Sequence, residues 1–192
     1  IYREDEEVPV VTLKSDASGD KGWGYVFDGA VYWSQFSWHV VENRHIQYKE
    51  LVALVHAAEE HGERFRGKVV RFGVDNSSVA YAVLKGSSSC PWMMQLLRRL
   101  ADAQCRYNFD AVAVWVSRRF NDLADLCTRF QALSDFDLHL PAGVAAPDRV
   151  FKCRCASPAD SSPVFGARLK LQDTPTSSPA RARGTASRCS SS

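Results

Sequence analysis

Apolar residues in the first part of the chain fall in short runs rich in β-branched and aromatic side chains. Val8 to Ser15 predicts one strand, and Gly22 to Phe27 and Ala30 to Gln35 predict two more. The Asp28-Gly29 pair between the last two predicts a two-residue hairpin turn. The period then changes: Leu51, Leu54, Val55 and Ala58 recur at i, i+3, i+4 and i+7, predicting a helix from Gln47 to His61 closed by Gly62. Val69 to Val74 is a short apolar strand. DNSSVAYAVLKG predicts a helix that opens on cap-forming residues and ends at Gly86. SSSCPWMMQLLRRLADAQ predicts another, with Pro91 in its first turn and Trp92, Met93, Leu96, Leu97 and Leu100 as core positions. Ala111 to Val116 completes the strands, and Leu123, Leu126, Cys127 and Phe130 mark one face of a last helix. The order β-β-β-α-β-α-α-β-α predicts an α/β domain, a mixed five-stranded sheet flanked by helices.

Composition limits how much of the chain this fold occupies. Of 192 residues, 1–7 read as an acidic linker, 8–133 as the folded domain, and 134–192 as a linker and a low-complexity basic tail of Ser, Pro, Ala and Arg. From Pro141 onward the chain has too little apolar surface to offset its ordering entropy, so Pro141 to Ser192 is expected to be largely disordered. That stretch holds eight Lys or Arg against three Asp. It therefore carries +5 of a total of +2, and residues 1–140 stand at −3. IYREDEEVP has neither the layout of a secretion signal nor an apolar run able to span a bilayer. The expectation is a piece of a longer product such as a polyprotein, intracellular (cytoplasmic or nuclear), with no membrane partner. Six scattered cysteines read as reduced thiols, and Cys153-x-Cys155 lacks a second ligand pair for zinc.

Four acids fall at element ends: Asp16 after the first strand, Glu50 early in the first helix, Asp75 after the fourth strand, and Asp125 in the last helix. Each has an ordinary alternative. Asp16 could form a turn before Ser18 and Gly19, Asp75 could cap the next helix, and Glu50 and Asp125 could be solvated helix positions. If the first and fourth strands are neighbours, however, Asp16 and Asp75 meet at one sheet edge. Glu50 lies four residues before Leu54 and borders the buried stripe, so it can face the same place. Several carboxylates in one crevice repel unless a cation neutralises them, and hard oxygen ligands suit Mg²⁺ or Mn²⁺.

SDASGDKGWG, QYKELVAL, VDNSSVAYAVLKG and NDLADLCTR, in that order from about Val8 to Phe130, resemble the successive motifs of a type 1 ribonuclease H domain. The version they resemble is the one fused to reverse transcriptases of gypsy-like and DIRS-like retroelements. The resemblance implies a ribonuclease H-like fold that hydrolyses the RNA strand of an RNA–DNA hybrid with two divalent ions, Mg²⁺ or Mn²⁺, held by Asp16, Glu50, Asp75 and Asp125. Asp16 would bridge both ions, Glu50 and Asp75 would share one, and Asp125 would complete the other. Asp122 rivals Asp125, but a negative charge in the first helical turn has a structural role of its own. Ser18, Gly19, Gln47, Asn76, Ser77, Arg118 and Arg119 are the expected substrate contacts, with Glu50 and Gln47 placed to sense the 2′-hydroxyl that DNA lacks. A reverse transcriptase domain upstream is the implied covalent partner.

This sequence departs from the family at two points. None of the five histidines lies in the VSRRFN loop, where bacterial members carry one, which predicts slow turnover. There is also no basic, Trp-bearing handle. With a −3 domain this predicts weak autonomous hybrid binding, with the basic tail or the polymerase supplying the grip. Against rival classes, no Gly-x-x-x-x-Gly-Lys-Ser/Thr loop supports an ATPase, and a non-catalytic module would normally have lost one of the four acids.

Overall fold

A computed structural model describes residues 7–129, 147 and 149–153 of the protein. The chain divides after Ser157 into two units, and every described residue belongs to the first. Strands β1 (Val10–Ala17), β2 (Gly22–Phe27) and β3 (Ala30–Gln35) form an antiparallel meander. Its hairpin turn is made by Asp28 and Gly29, at φ 51° and 68°, the paired left-handed conformation that a twisted two-residue turn requires. Helices α1 (Trp38–Asn43), α2 (Ile46–Glu60) and α3 (Gly62–Phe65) follow, then β4 (Val69–Val74), α4 (Ser77–Lys85), α5 (Pro91–Tyr107) and β5 (Asp110–Trp115). A 3₁₀ turn at Arg118–Phe120, helix α6 (Asp122–Cys127) and strand β6 (Arg149–Lys152) complete the described elements.

The sheet order is β5-β4-β1-β2-β3-β6, with β1, β4 and β5 mutually parallel. Strand β2 shows how the two faces are used. Trp23, Tyr25 and Phe27 point into the main core shared with α2, α4 and α5, where Leu51, Leu54, Val79, Leu96 and Leu100 are buried. The alternate positions, Gly24 and Val26, stand beside Trp33 and Val31 on the face covered by α6. Gly24 permits the close approach of that helix, since a Cβ there would lie 2.5 Å from Cys127 Cβ.

Several expectations need correction. Among the described residues the sheet has six strands, because Arg149–Lys152, within the stretch expected to be largely disordered, pairs in parallel with β3. Phe151 stacks on Tyr32 at 5.0 Å, Cys153 N donates to Trp33 O at 2.7 Å, and Ser34 Oγ donates to Cys153 O at 2.9 Å. A four-residue strand in a basic, Pro-rich context carries no readable period. Its aromatic ring and the backbone N–H of Cys153, just after it, find partners on the edge of β3. The remaining residues of 1–6 and 130–192, Phe130 and most of the tail among them, lie outside the described residues. Gly62 does not end α2; it opens α3, packed so closely on the Tyr107 ring that a Cβ would collide with it. Trp92 is half-exposed rather than core. It stands in the first turn of α5, where the Arg44 guanidinium covers its ring at 3.9 Å. Helices α1 and α3 were not foreseen, being too short to show a period.

Ending the chain after Ser157 is expected to leave the melting temperature unchanged, whereas ending it at Leu140 removes β6 and should lower it by about 5 °C. Thermal denaturation followed by circular dichroism checks this. Equal melting of the two truncations would show that β6 adds nothing to the sheet.

Candidate active site

Parallel pairing of β1 and β4 sets the first two acids side by side. Lys14 lies opposite Gly73, and two residues further along each strand stand Asp16 and Asp75. Asp16 is inside β1 and makes no turn. That role belongs to Ser18, whose Oγ accepts from the Lys21 and Gly22 backbone N–H groups, both at 2.8 Å. Asp75 is likewise not the cap of α4. The Asn76 side chain accepts from Ser78 N at 3.0 Å, and the Trp115 indole N–H fixes the Asp75 carbonyl at 3.1 Å. Glu50 projects from the buried stripe of α2 toward the same sheet end. Asn76 Nδ2 donates to its Oε1 at 3.2 Å, while its Oε2 is buried without a partner. One carboxylate oxygen from each of Asp16, Glu50 and Asp75 lies within 4.8 Å of the others.

These charges are costly as they stand. Asp16 is 4% exposed and Glu50 6% exposed. Burial, then the neighbouring Asp75 charge, pushes the Asp16 carboxyl up to about 8, although the Ala17 backbone N–H opposes this. Burial lifts Glu50 to about 7, with the Asn76 amide pulling the other way. A cluster of hard oxygens, one of them an orphaned buried acceptor, fits a divalent cation such as Mg²⁺ or Mn²⁺.

A cavity of about 430 Å³ opens over the cluster, lined by Asp16, Glu50 and Asp75 together with Asp125, Ser18, Gly19 and Arg118. Asp125 borders this space without belonging to the three-acid cluster. Its carboxylate is held by Arg118 and Arg129. Asp122 occupies the first turn of α6 and does not line the cavity. Asn76 reaches the site through Glu50, whereas Gln47, Ser77 and Arg119 are absent from the lining, and the Arg119 guanidinium lies 4.7 Å from the Phe120 ring. Ile46 faces the cavity from the turn where Gln47 was expected.

Six further residues shape the site. Asp20, Lys21, Thr128 and Arg129 complete the rim. Lys49 is buried, its ammonium donating to Gly19 O and, at 2.9 Å, to Val41 O, which ties the β1–β2 turn to α1. Asn121 Nδ2 donates to Ser15 O at 3.1 Å and so fixes the start of α6 beside Asp16. The asparagine opening NDLAD was a signal for the last of these. Lys49 gave none, because a lysine before a helical glutamate reads as solvated.

No family model matches the chain, and no curated protein does. Solved structures are similar to it at low identity. RNase H1 from the halophilic archaeon Halobacterium salinarum has 18% identity and a TM-score of 0.48, over 62% of this chain and 93% of that one. LC11-RNase H1 in complex with an RNA/DNA hybrid has 15% identity and a TM-score of 0.48, over 62% and 91%. The foamy viral protease-reverse transcriptase in complex with an RNA/DNA hybrid has 14% identity and a TM-score of 0.45, over 65% of this chain and 21% of that one.

Proposed function

We propose that the chain is a divalent-metal-dependent nuclease that hydrolyses the RNA strand of RNA–DNA hybrids, the ribonuclease H part of a retroelement reverse transcriptase. The observation that carries this is the convergence of Asp16, Glu50 and Asp75, from a strand, a helix and a strand end, on one cavity that Asp125 borders. The four motifs that the sequence shares with type 1 ribonucleases H are those that supply these acids.

Two divalent ions, when bound, supply an activated water and stabilise the leaving oxygen of an in-line displacement. Asp16, central among the acids, would hold both. Glu50 and Asp75 would hold one with it, and Asp125 the other. Asn76 orients Glu50 by donating to Oε1, leaving Oε2 free to act as a ligand or to meet the 2′-hydroxyl of the RNA strand. Lys49 and Ser18 fix the β1–β2 turn that forms one wall of the cavity. Arg118 on the opposite rim is a phosphate contact. With residues 1–140 at −3, the basic tail or an upstream polymerase domain supplies much of the hybrid affinity. No described helix is long and apolar enough to cross a membrane.

The full chain with Mn²⁺ is expected to cut a labelled RNA–DNA hybrid in its RNA strand and to spare double-stranded DNA. Gel analysis of the products checks it. An intact hybrid after prolonged incubation, with Mn²⁺ binding demonstrated, would sink the nuclease reading.

A further inference from the structure

The most unusual feature of the cavity rim is the state of Asp125. Arg118 Nη2 donates to its Oδ1 at 2.8 Å and Arg129 Nη2 to its Oδ2 at 2.7 Å, so each oxygen already has a cationic partner. The two arginines come from different elements. Arg118 opens the 3₁₀ turn, and Arg129 follows α6 one helical turn after Asp125. Both line the cavity that contains the three-acid cluster. Their side chains are 71% and 58% exposed, against 20% for Asp125.

A carboxylate with both oxygens engaged by guanidinium groups is a poor ligand for a further cation. Two of its four lone-pair sites are already taken, and two positive charges stand nearby to repel the ion. The arginines themselves are only loosely committed, because exposed ion pairs are weak and exchange readily with solvent. A phosphodiester offers guanidinium groups the kind of paired oxygens that Asp125 offers now, with a full negative charge. Nucleic acid entering the cavity would therefore compete with Asp125 for both arginines.

Resting on the nuclease reading above, we propose that Arg118 and Arg129 are positioning residues that keep Asp125 from the second metal ion until a substrate phosphodiester draws them away. Exchange of partners frees the Asp125 carboxylate to complete that ion's ligand set. Substrate and second ion then bind with positive coupling, each favouring the other by the same factor. The first ion, on Asp16, Glu50 and Asp75, needs no such exchange. The device would withhold the complete two-ion site from a chain that has no nucleic acid in place.

The test uses the full chain and Mn²⁺ alone, with free Mn²⁺ followed by electron paramagnetic resonance. The parent is expected to bind one ion tightly and a second at least about tenfold more weakly. Arg118→Gln combined with Arg129→Gln should strengthen the second site about tenfold and leave the first within about threefold. Adding Asp125→Asn should erase that gain. Arg119→Gln, which removes one positive charge from a side chain that lies over Phe120 and off the cavity lining, should change the second site by no more than about twofold. In parallel, fluorescence anisotropy of a labelled hybrid in EDTA should show the double variant binding about fivefold more weakly than the parent. Loss of two positive charges alone also shifts ion and hybrid affinity in opposite directions, so the discriminating readout is the loss of the second-site gain when Asp125→Asn is added. Second-site affinity within twofold of the parent, a gain that persists with Asp125→Asn, or unchanged hybrid binding would each overturn the proposal while leaving the nuclease reading intact. A parent chain that binds no Mn²⁺ at all would overturn both.

Discussion

Asp16→Asn is expected to reduce hybrid cleavage by at least about 10³-fold, roughly 4 kcal/mol of barrier, and at the same time to raise the melting temperature in EDTA at pH 8 by about 4 °C. The two effects share one cause. Asp16 is buried beside Asp75, and its carboxyl is pushed up to about 8. A neutral amide of the same shape can still accept from the Ala17 backbone N–H, so the variant loses a costly charge and keeps the local bond. The site, however, loses the carboxylate to which the proposed mechanism assigns both ions. Cleavage assays with Mn²⁺ and melting curves in EDTA, on the same preparations, check the pair of outcomes. A variant as active as its parent would remove Asp16 from the chemistry. One that melts lower in EDTA would refute the electrostatic account of the cluster. Glu50→Gln should behave in the same direction with a smaller thermal gain, since Asn76 already offsets part of the Glu50 charge.

What the sequence disclosed follows from where tertiary contacts repeat a local pattern. Helices α2 and α5 bury faces that recur at fixed spacing, so Leu54 and Leu96 were readable as core. The acids were readable by another route. Strand ends and a helix stripe fix direction, and one inferred neighbour relation, β1 beside β4, brings Asp16 to Asp75. Features made by a single long-range contact stayed hidden. Strand β6 exists because Phe151 finds Tyr32 and Cys153 finds Trp33, partners more than 100 residues away in the chain. Trp92 left the core because Arg44 covers it, and Arg129 matters because α6 turns it back onto Asp125. None of these depends on a period, a cap or a turn dipeptide. The substrate contacts divide in the same way. Ser18 and Gly19 sit in the turn that follows Asp16 and so line the cavity, while from α2 it is Ile46, four residues before Glu50, and not Gln47 that lines it.

In EDTA the protein should lose stability between pH 6.5 and 8 by about 2 kcal/mol, a fall of about 5 °C in melting temperature, and a few millimolar Mg²⁺ or Mn²⁺ should remove that loss. The sign follows from two opposed sets of groups. Asp16 and Glu50 titrate at about 8 and 7 when folded, against ordinary values of 3.8 and 4.5. The folded state therefore holds protons that the unfolded chain has released, and stability declines as pH rises from the unfolded to the folded values. His56 and His61 run the other way. Burial depresses both from 6.5 to about 4, so they add stability as pH rises to about 6.5 and little beyond it. Below pH 6.5 the two sets offset each other; above it only the carboxylates still titrate, and the curve should turn downward. A divalent ion makes the charged carboxylates favourable and so removes the downward slope, with the largest ion-induced rise in melting temperature at the highest pH. Differential scanning calorimetry from pH 5 to 8.5, with EDTA and with metal, measures both curves. A metal-free profile that is flat or rising above pH 6.5, or an ion effect that does not grow with pH, would mean that Asp16 and Glu50 do not meet as buried, uncompensated charges.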